Sequence, residues 1–308
     1  MDIIGFGALN LDRLYSVNTL AGEDDESFVT GFNEAPGGSA ANTVVGLARL
    51  GLTTGYIGKV ASDREAELLL DDFKGENVST AGIIISRTGS SGVVMGYING
   101  TGGRALYVNP GVNDWLEFPE IDLEYAADTE YLHLTSFVGK KPFLAQKKLV
   151  ETLSDLKISF DPGQIYAKKG LDALKPLITR CCVMFPSSTE LKMLTGQDYQ
   201  KGSKRLIRAG VEIVAVKLGR KGCYVTNGKE RYMVEPYDVQ VVDTTGAGDA
   251  FCAGFLFGLL TGRDLLQCGR IGNFMASRCI SKIGARTGLP TFTDLSSFFL
   301  QGKLVSVS

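Results

Sequence analysis

Apolar and polar positions recur along the chain with two different periods, and the change of period divides it into regions. The first apolar run, Asp2 to Ala8, has the length of one strand and ends in a polar break at Asn10 to Asp12. Residues 13 to 35 are acidic and irregular, with an alternation near Ser27 to Phe32 that predicts an edge strand. Pro36-Gly37-Gly38-Ser39 then opens a segment through Leu50 in which Val44, Leu47, Ala48 and Gly51 fall at helical spacing. Thr53 to Val60 predicts a strand, and Asp63 to Glu76 an amphipathic helix capped by its own first aspartate. From Ile83 to Val108, β-branched runs are cut by glycine-rich turns at Ser86 to Gly92 and Asn99 to Gly103, which is the pattern of hairpins.

Beyond about residue 125 the texture changes. Short apolar strands (Tyr131 to Leu134, Ile158 to Asp161, Cys182 to Phe185, Ile213 to Leu218) alternate with helical stretches. That alternation predicts an α/β fold, a central mostly parallel sheet flanked by helices. Residues 1–308 read as a single domain of this class. A small β-sheet lid is expected from two inserts, about 11–36 and 83–113.

Composition removes several functions. With 34 acidic residues against 32 Lys and Arg, the net charge of -2 gives no basic surplus for nucleic acid. The most apolar helical stretch, Phe251 to Leu260, is too short and too glycine-interrupted to span a bilayer, and no signal peptide is expected from the pattern of the first residues. A cytoplasmic protein without a membrane partner is expected. Six cysteines without a C-x-x-C, two of them adjacent at Cys181 and Cys182, predict buried reduced thiols and no metal knuckle. The single histidine, His133, lies in the apolar run YLHLTSF, where it reads as a packed core or strand-end residue. A zinc site of the H-E-x-x-H kind is excluded, and the catalytic acid or base is expected to be a carboxylate.

Glycine is in excess, 38 of 308 residues, about 12% where about 7% is typical, which predicts backbone that turns tightly or approaches a ligand. Two segments concentrate it. Asp243-Thr244-Thr245-Gly246-Ala247-Gly248-Asp249 leads into an apolar helix, so free N–H groups and the helix dipole make an anion site. Asp249, in the first turn, can stabilise the helix or accept a proton from an attacking hydroxyl; spacing alone leaves both open. The segment is not G-x-G-x-x-G, because Phe251 holds the third glycine position, and no P-loop occurs. Gly5-x-Gly7, after the first strand, likewise has Asn10 where the third glycine belongs. The second segment, Gly37-Gly38-Ser39-Ala40-Ala41-Asn42, fits tight helix packing or close backbone approach, with Asn42 projecting an amide.

Gly37-Gly38-x-x-x-Asn42 and Asp243 to Asp249, 200 residues apart, together resemble the signatures of the ribokinase-like (PfkB) carbohydrate kinase family. The likeness covers nearly the whole chain and is close to archaeal nucleoside-kinase and fructokinase-like members. It also rests on Gly7 through Asp12, Gly102-Gly103-Arg104, Asn113, Asp161-Pro162-Gly163, Lys217-Leu218-Gly219 and Gly284 through Pro290. The resemblance implies transfer of the γ-phosphoryl group of ATP, with Mg2+, to a hydroxyl of a sugar or sugar-like acceptor.

Carried over by motif, Asp249 is the base, and the backbone of Gly246, Ala247 and Gly248 is the anion hole. Asp12, Gly37, Gly38, Asn42, Arg104 and Asp161 fall to the acceptor; Lys217, Gly219, Gly222, Thr245, Asn273 and Gly284 fall to the nucleotide. Glu190 would orient a magnesium-bound water, although the family's Asn-x-x-Glu here reads Ser187-Ser188-Thr189-Glu190. In some relatives the places of Asp243, Thr245 and the loop near Ala285 hold a monovalent cation. A homodimer through the lid is implied as well. Two alternatives stand beside this reading. One is a nucleoside kinase of the same family, whose pocket would want stacking aromatics from among Phe6, Phe28, Tyr97, Tyr107 and Phe137. The other is a catalytically weak sugar- or nucleotide-binding homodimer.

Overall fold

A computed structural model describes residues 1–101 and 103–298. Strands β1 (Ile3–Phe6), β2 (Asn10–Val17), β3 (Val29–Gly37), β4 (Thr54–Ala61), β5 (Val78–Ser86), β6 (Gly92–Asn99) and β7 (Arg104–Asn109) come from the first third of the chain. The rest supplies β8 (Tyr131–Thr135), β9 (Lys157–Asp161), β10 (Cys181–Met184), β11 (Ile213–Lys217), β12 (Cys223–Thr226) and β13 (Arg231–Val234). Nine strands form one sheet in the order β13-β12-β11-β10-β9-β8-β1-β4-β5, and β3-β2-β6-β7 form a second. Pairing in the large sheet is parallel from β5 to β11, and antiparallel only across β11–β12 and β12–β13.

Alternation along the strands sends neighbouring side chains into two separate cores. Ile3, Val183 and Ala215 pack with the helices Ser39–Arg49, Arg64–Gly75, Ala247–Leu260 and Leu265–Cys279. Ile4, Met184 and Val214 pack on the opposite face with Lys140–Thr152, Gly170–Ile178, Ser188–Thr195 and Tyr199–Arg208. Both faces are therefore covered, as a parallel sheet requires. His133 is fully buried in β8 with Nδ1 2.7 Å from Ser159 Oγ, and burial pulls its pKa down to about 4. It is a neutral core residue. All six cysteines are free.

Two sequence expectations are corrected. Asn10 to Asp12 is no break but the start of β2, in register with Gly92 to Val94 of β6. Its polar residues belong to the site described below, and that polarity hides the strand. The run from Ile83 does not open a lid hairpin: β5 pairs parallel with β4 at the edge of the large sheet, and the lid's second insert begins at β6. An edge strand with Ile85 56% exposed has the composition of a lid strand, so sequence alone could not separate them.

Candidate active site

The order of the large sheet reverses between β1 and β8. From β1 the chain builds outward through β4 and β5, and from β8 outward through β9, β10 and β11. A crevice outside the carboxyl ends of strands at such a point is the usual ligand site of an open α/β sheet. A cleft of about 370 Å³ opens there, lined by Ala8 and Asn10 after β1, Thr135 and Ser136 at β8, and Thr244 to Asp249. The lid closes over it with Asp12, Val94, Arg104 and Val108.

The cleft's floor is the N-terminus of the helix Ala247–Leu260. Gly246 stands at its N-cap with φ +76°, and a Cβ there would meet the Ala285 backbone at 2.6 Å. Only glycine makes this turn, and it leaves the first amides of the helix bare of any side-chain cap. Asp249, three residues on, receives a hydrogen bond from Asn42 Nδ2 on Oδ2 at 2.8 Å. Burial pushes its carboxyl up to about 7; Asp161 adds to the rise, while Asn42, Lys217 and Ser39 pull the other way. A carboxylate poised there exchanges protons near neutral pH.

Asp12 approaches from β2. Its carboxylate lies over Gly37, where a Cβ would come within 2.3 Å of Oδ2, so the glycine makes room for the acid. Burial raises the Asp12 pKa to about 6, against the attraction of Arg286. Asn113 ties this corner together: it accepts from Leu9 N at 3.0 Å and donates to Leu9 O at 2.9 Å and Asn10 Oδ1 at 3.0 Å. Asp243 joins two loops, accepting from Thr245 N and Oγ1 and from Gly284 N at 2.7–2.9 Å. These donors outweigh burial and hold its pKa below the usual value.

The expected site residues divide in two. Asp12, Gly38, Asn42, Arg104, Thr245, Gly246, Ala247, Gly248 and Asp249 all line the cleft. Asp161 does not border it. Its Oδ2 pairs with Lys217 Nζ at 2.5 Å, and Cys252 Sγ lies 3.6 Å from the same oxygen. Burial works against the Lys217 charge, but Asp161, Cys252 and Glu190 hold it protonated, above the ordinary lysine range. This cation sits under the anion loop, 3.3 Å from where a Cβ of Gly248 would stand.

Asn273 spends its amide NH2 on the carbonyls of Val234 and Glu235 at 3.0 and 2.9 Å, so it shapes the chain there. Gly219 and Gly222 form the turn between β11 and β12, outside the cleft. Gly102 lies outside the described residues.

Glu190 is held by the helix start it belongs to. Ser187 N donates to its Oε2 at 2.7 Å and Glu190 N donates back to Ser187 Oγ at 3.2 Å, a complete capping box. Burial, reinforced by Asp161, raises its pKa. The serine that departs from the family's asparagine therefore has a structural use, readable in the S-x-x-E spacing. Among the described residues no group of three or more His, Cys, Asp or Glu side chains could hold a metal ion.

The model of pfkB family carbohydrate kinases matches residues 2–292 of the sequence. The chain belongs to this family. A pfkB kinase is a phosphotransferase with a hydroxyl acceptor, and the cleft is the part of this one that carries the family's paired signatures. Among curated relatives, an uncharacterized sugar kinase of Archaeoglobus fulgidus is 46% identical over 253 residues, covering 81% of this chain and all of the relative. An ATP-dependent ribose-1-phosphate kinase of Halopiger xanaduensis is 31% identical, covering 96% of this chain and 97% of its own. The solved ribokinase of Thermotoga maritima shares the fold at a TM-score of 0.87 and 22% identity, over 97% of this chain and 99% of that one.

Sequence reasoning missed several residues of this pfkB site. Asp114 lines the cleft and accepts from Gly139 N at 2.7 Å. Arg286, 8% exposed, donates to Asn42 Oδ1 at 2.8 Å and pairs with Asp72. Arg286 falls within the Gly284–Pro290 stretch on which the likeness rests, but its pairing could not be read there, since its partners come from helices more than 200 residues away in sequence.

Proposed function

We propose that the protein phosphorylates a hydroxyl of a small sugar-like acceptor held in this cleft, with ATP as donor. As the hydroxyl oxygen attacks the γ-phosphorus, its proton passes to the Asp249 carboxylate, and the bond from that phosphorus to the β-phosphate oxygen breaks to release ADP. The amides of the Gly246–Gly248 turn, of which that of Ala247 also donates to Thr244 O at 3.3 Å, offer donors to charge on the transferring group, and the Lys217 cation lies beneath them. Magnesium bound with the nucleotide supplies neutralisation of phosphate charge. The lack of a carboxylate cage among the described residues fits an ion carried by phosphates and water, with Glu190 as its outer partner. On this reading the nucleotide extends past Thr245 and Gly284 toward the turn at Gly219 and Gly222.

The observation that carries the choice of acceptor is the lining. Among the described residues no Phe, Tyr or Trp borders the cleft, whereas Asn10, Asp12, Asn42, Asn113 and Asp114 do, beside the aliphatic Val94, Val108, Pro110, Val138 and Ile165. Phe6 and Phe137 are buried against each other in the core. Tyr97 and Tyr107 fall on the face of the lid opposite Asp12, Val94 and Val108, in an aromatic row with Tyr15 and Phe32. A polyol suits this lining and a stacked base does not. A second reading is a sugar phosphate, favoured by the exposed Arg104 at the lid's edge of the cleft and by the name of the Halopiger relative.

Magnesium-dependent ADP release across free sugars, sugar phosphates and nucleosides tests both. Turnover confined to nucleosides would overturn the assignment. The same reading includes a monovalent cation at Asp243 and Thr245, tested by comparing turnover in potassium and in choline chloride. It also includes a cytoplasmic homodimer through the lid, supported by exposed Phe28, Phe32 and Tyr107 and tested by sedimentation.

A further inference from the structure

Asn42 offers Asp249 one end of a carboxamide, and the two ends of that group have opposite chemistry. Its Nδ2 donates to Asp249 Oδ2, while its Oδ1 accepts from Arg286 Nε, both at 2.8 Å. Turned over, the amide would set a carbonyl against a carboxylate and an NH2 against a guanidinium. Both contacts would become repulsive, so the arginine leaves only one orientation.

Arg286 is itself firmly held. It pairs through Nη1 with Asp72, and its guanidinium lies 5.8 Å from the Phe73 ring centroid. Its carbonyl accepts from Arg49 Nη1 at 2.6 Å, and Arg49 is paired with Glu76. Yet the burial is not explained by stability. Nη2 is buried without a hydrogen-bond partner among the described residues, and a buried cation with an idle donor is costly to keep. The arginine does not border the cleft, so its hydrogen-bonded route to the reaction runs through Asn42.

We infer that Arg286 is a positioning residue for phosphoryl transfer, fixing the Asn42 carboxamide so that its NH2 end holds the Asp249 carboxylate toward the acceptor. This rests on the kinase reading above. It assigns to the Gly284–Pro290 loop a role in the acceptor-side base, whereas the family likeness placed that loop on the nucleotide side. The same cation draws on Asp12, so one buried charge serves the two carboxylates that face the acceptor.

Arg286→Gln, Asn42→Ala and the double variant test the inference by kinetics and by NMR of the Asn42 side-chain amide, assigned by its loss in Asn42→Ala. In the wild type the Asn42 NH2 protons are protected from exchange, and Arg286→Gln removes that protection. Arg286→Gln lowers kcat by about tenfold to a hundredfold, the scale on which outer partners act on an inner group, with both KM values within about threefold. In the Asn42→Ala background the same change costs less than about twofold, because no amide remains to be oriented. Penalties that multiply, or a protected Asn42 amide in Arg286→Gln, overturn the inference. If Arg286→Gln alone does not fold, Arg286→Gln with Asp72→Asn removes both charges and is held to the same criteria. A wild type that turns over no acceptor overturns the kinase reading instead, and is distinguished by the wild-type assay alone.

Discussion

The floor of the cleft and its lid are built on opposite terms. In the floor, Asp249, Asn42 and Arg286 form a hydrogen-bonded series of polar groups, Arg286 on the Gly284–Pro290 loop and the other two on helices packed tightly enough that a Cβ on Gly46 would stand 2.9 Å from Ala253. In the lid, the outer strands β3 and β7 present exposed residues along much of their length while β2 and β6 are mostly buried or half-buried, and Arg104 reaches the cleft from the first position of β7. Desolvation raises the Asp249 carboxyl of the floor to about 7, and raises Asp12 to about 6 where β2 of the lid dips into the cleft. On the proposed reading the difference is a division of labour, in which the floor performs the transfer and the lid selects what is phosphorylated.

Variants that strike the floor should separate from variants that strike the lid in which constant they change. Asp249→Asn should lower kcat by about a thousandfold or more while ATP binding, measured by calorimetry, stays within about threefold, because only proton acceptance is lost. Retained turnover would break the assignment of the base. Gly246→Ala places a Cβ against Ala285 at φ +76°. It should cost about a hundredfold in kcat and about 1–2 kcal/mol in stability, read by turnover and by urea melts.

Asp12→Ala, at the seam between floor and lid, should raise the acceptor KM about tenfold to a hundredfold with kcat nearly kept. An unchanged acceptor KM removes Asp12 from the pocket. Arg104→Ala should have the smallest effect, under about threefold in KM for a free sugar, since an exposed cation contributes little. A much larger effect on a phosphorylated acceptor would select the sugar-phosphate reading.

The floor was also the more legible region. Two glycines before an apolar helix, with Asp249 in its first turn, mark an anion site beside a carboxylate from local physics alone, and the helix Ala247–Leu260 starts where that pattern places it. The body's strands at Tyr131, Ile158, Cys182 and Ile213 were equally readable, because a strand buried on both faces shows as an unbroken apolar run. The lid was harder. β2 carries Asn10 and Asp12 where a core strand would carry apolar residues, and β5 at the sheet's edge looks like lid.

Long-range polar pairings left no mark in the sequence. Asp161 and Lys217 sit in motifs that point toward ligands, but the fold spends them on each other across the ends of β9 and β11. Arg286 meets Asn42 only after the whole chain has folded. Spacing encodes neighbours on one element; it does not encode which buried charges find each other.

The central claim is that the half-buried Asp249 carboxylate, its pKa raised to about 7, takes the proton in the transfer step. The most direct measurement is kcat/KM for ATP from pH 5 to 9, with acceptor saturating so that Asp12 is occupied and with magnesium in excess. A base must be ionised to act, so a raised pKa moves the loss of activity upward. The account predicts a tenfold fall per pH unit on the acid side, with a midpoint nearer 7 than the ordinary carboxylate value of about 4. A rate that stays constant from pH 8 down to pH 5 would contradict it.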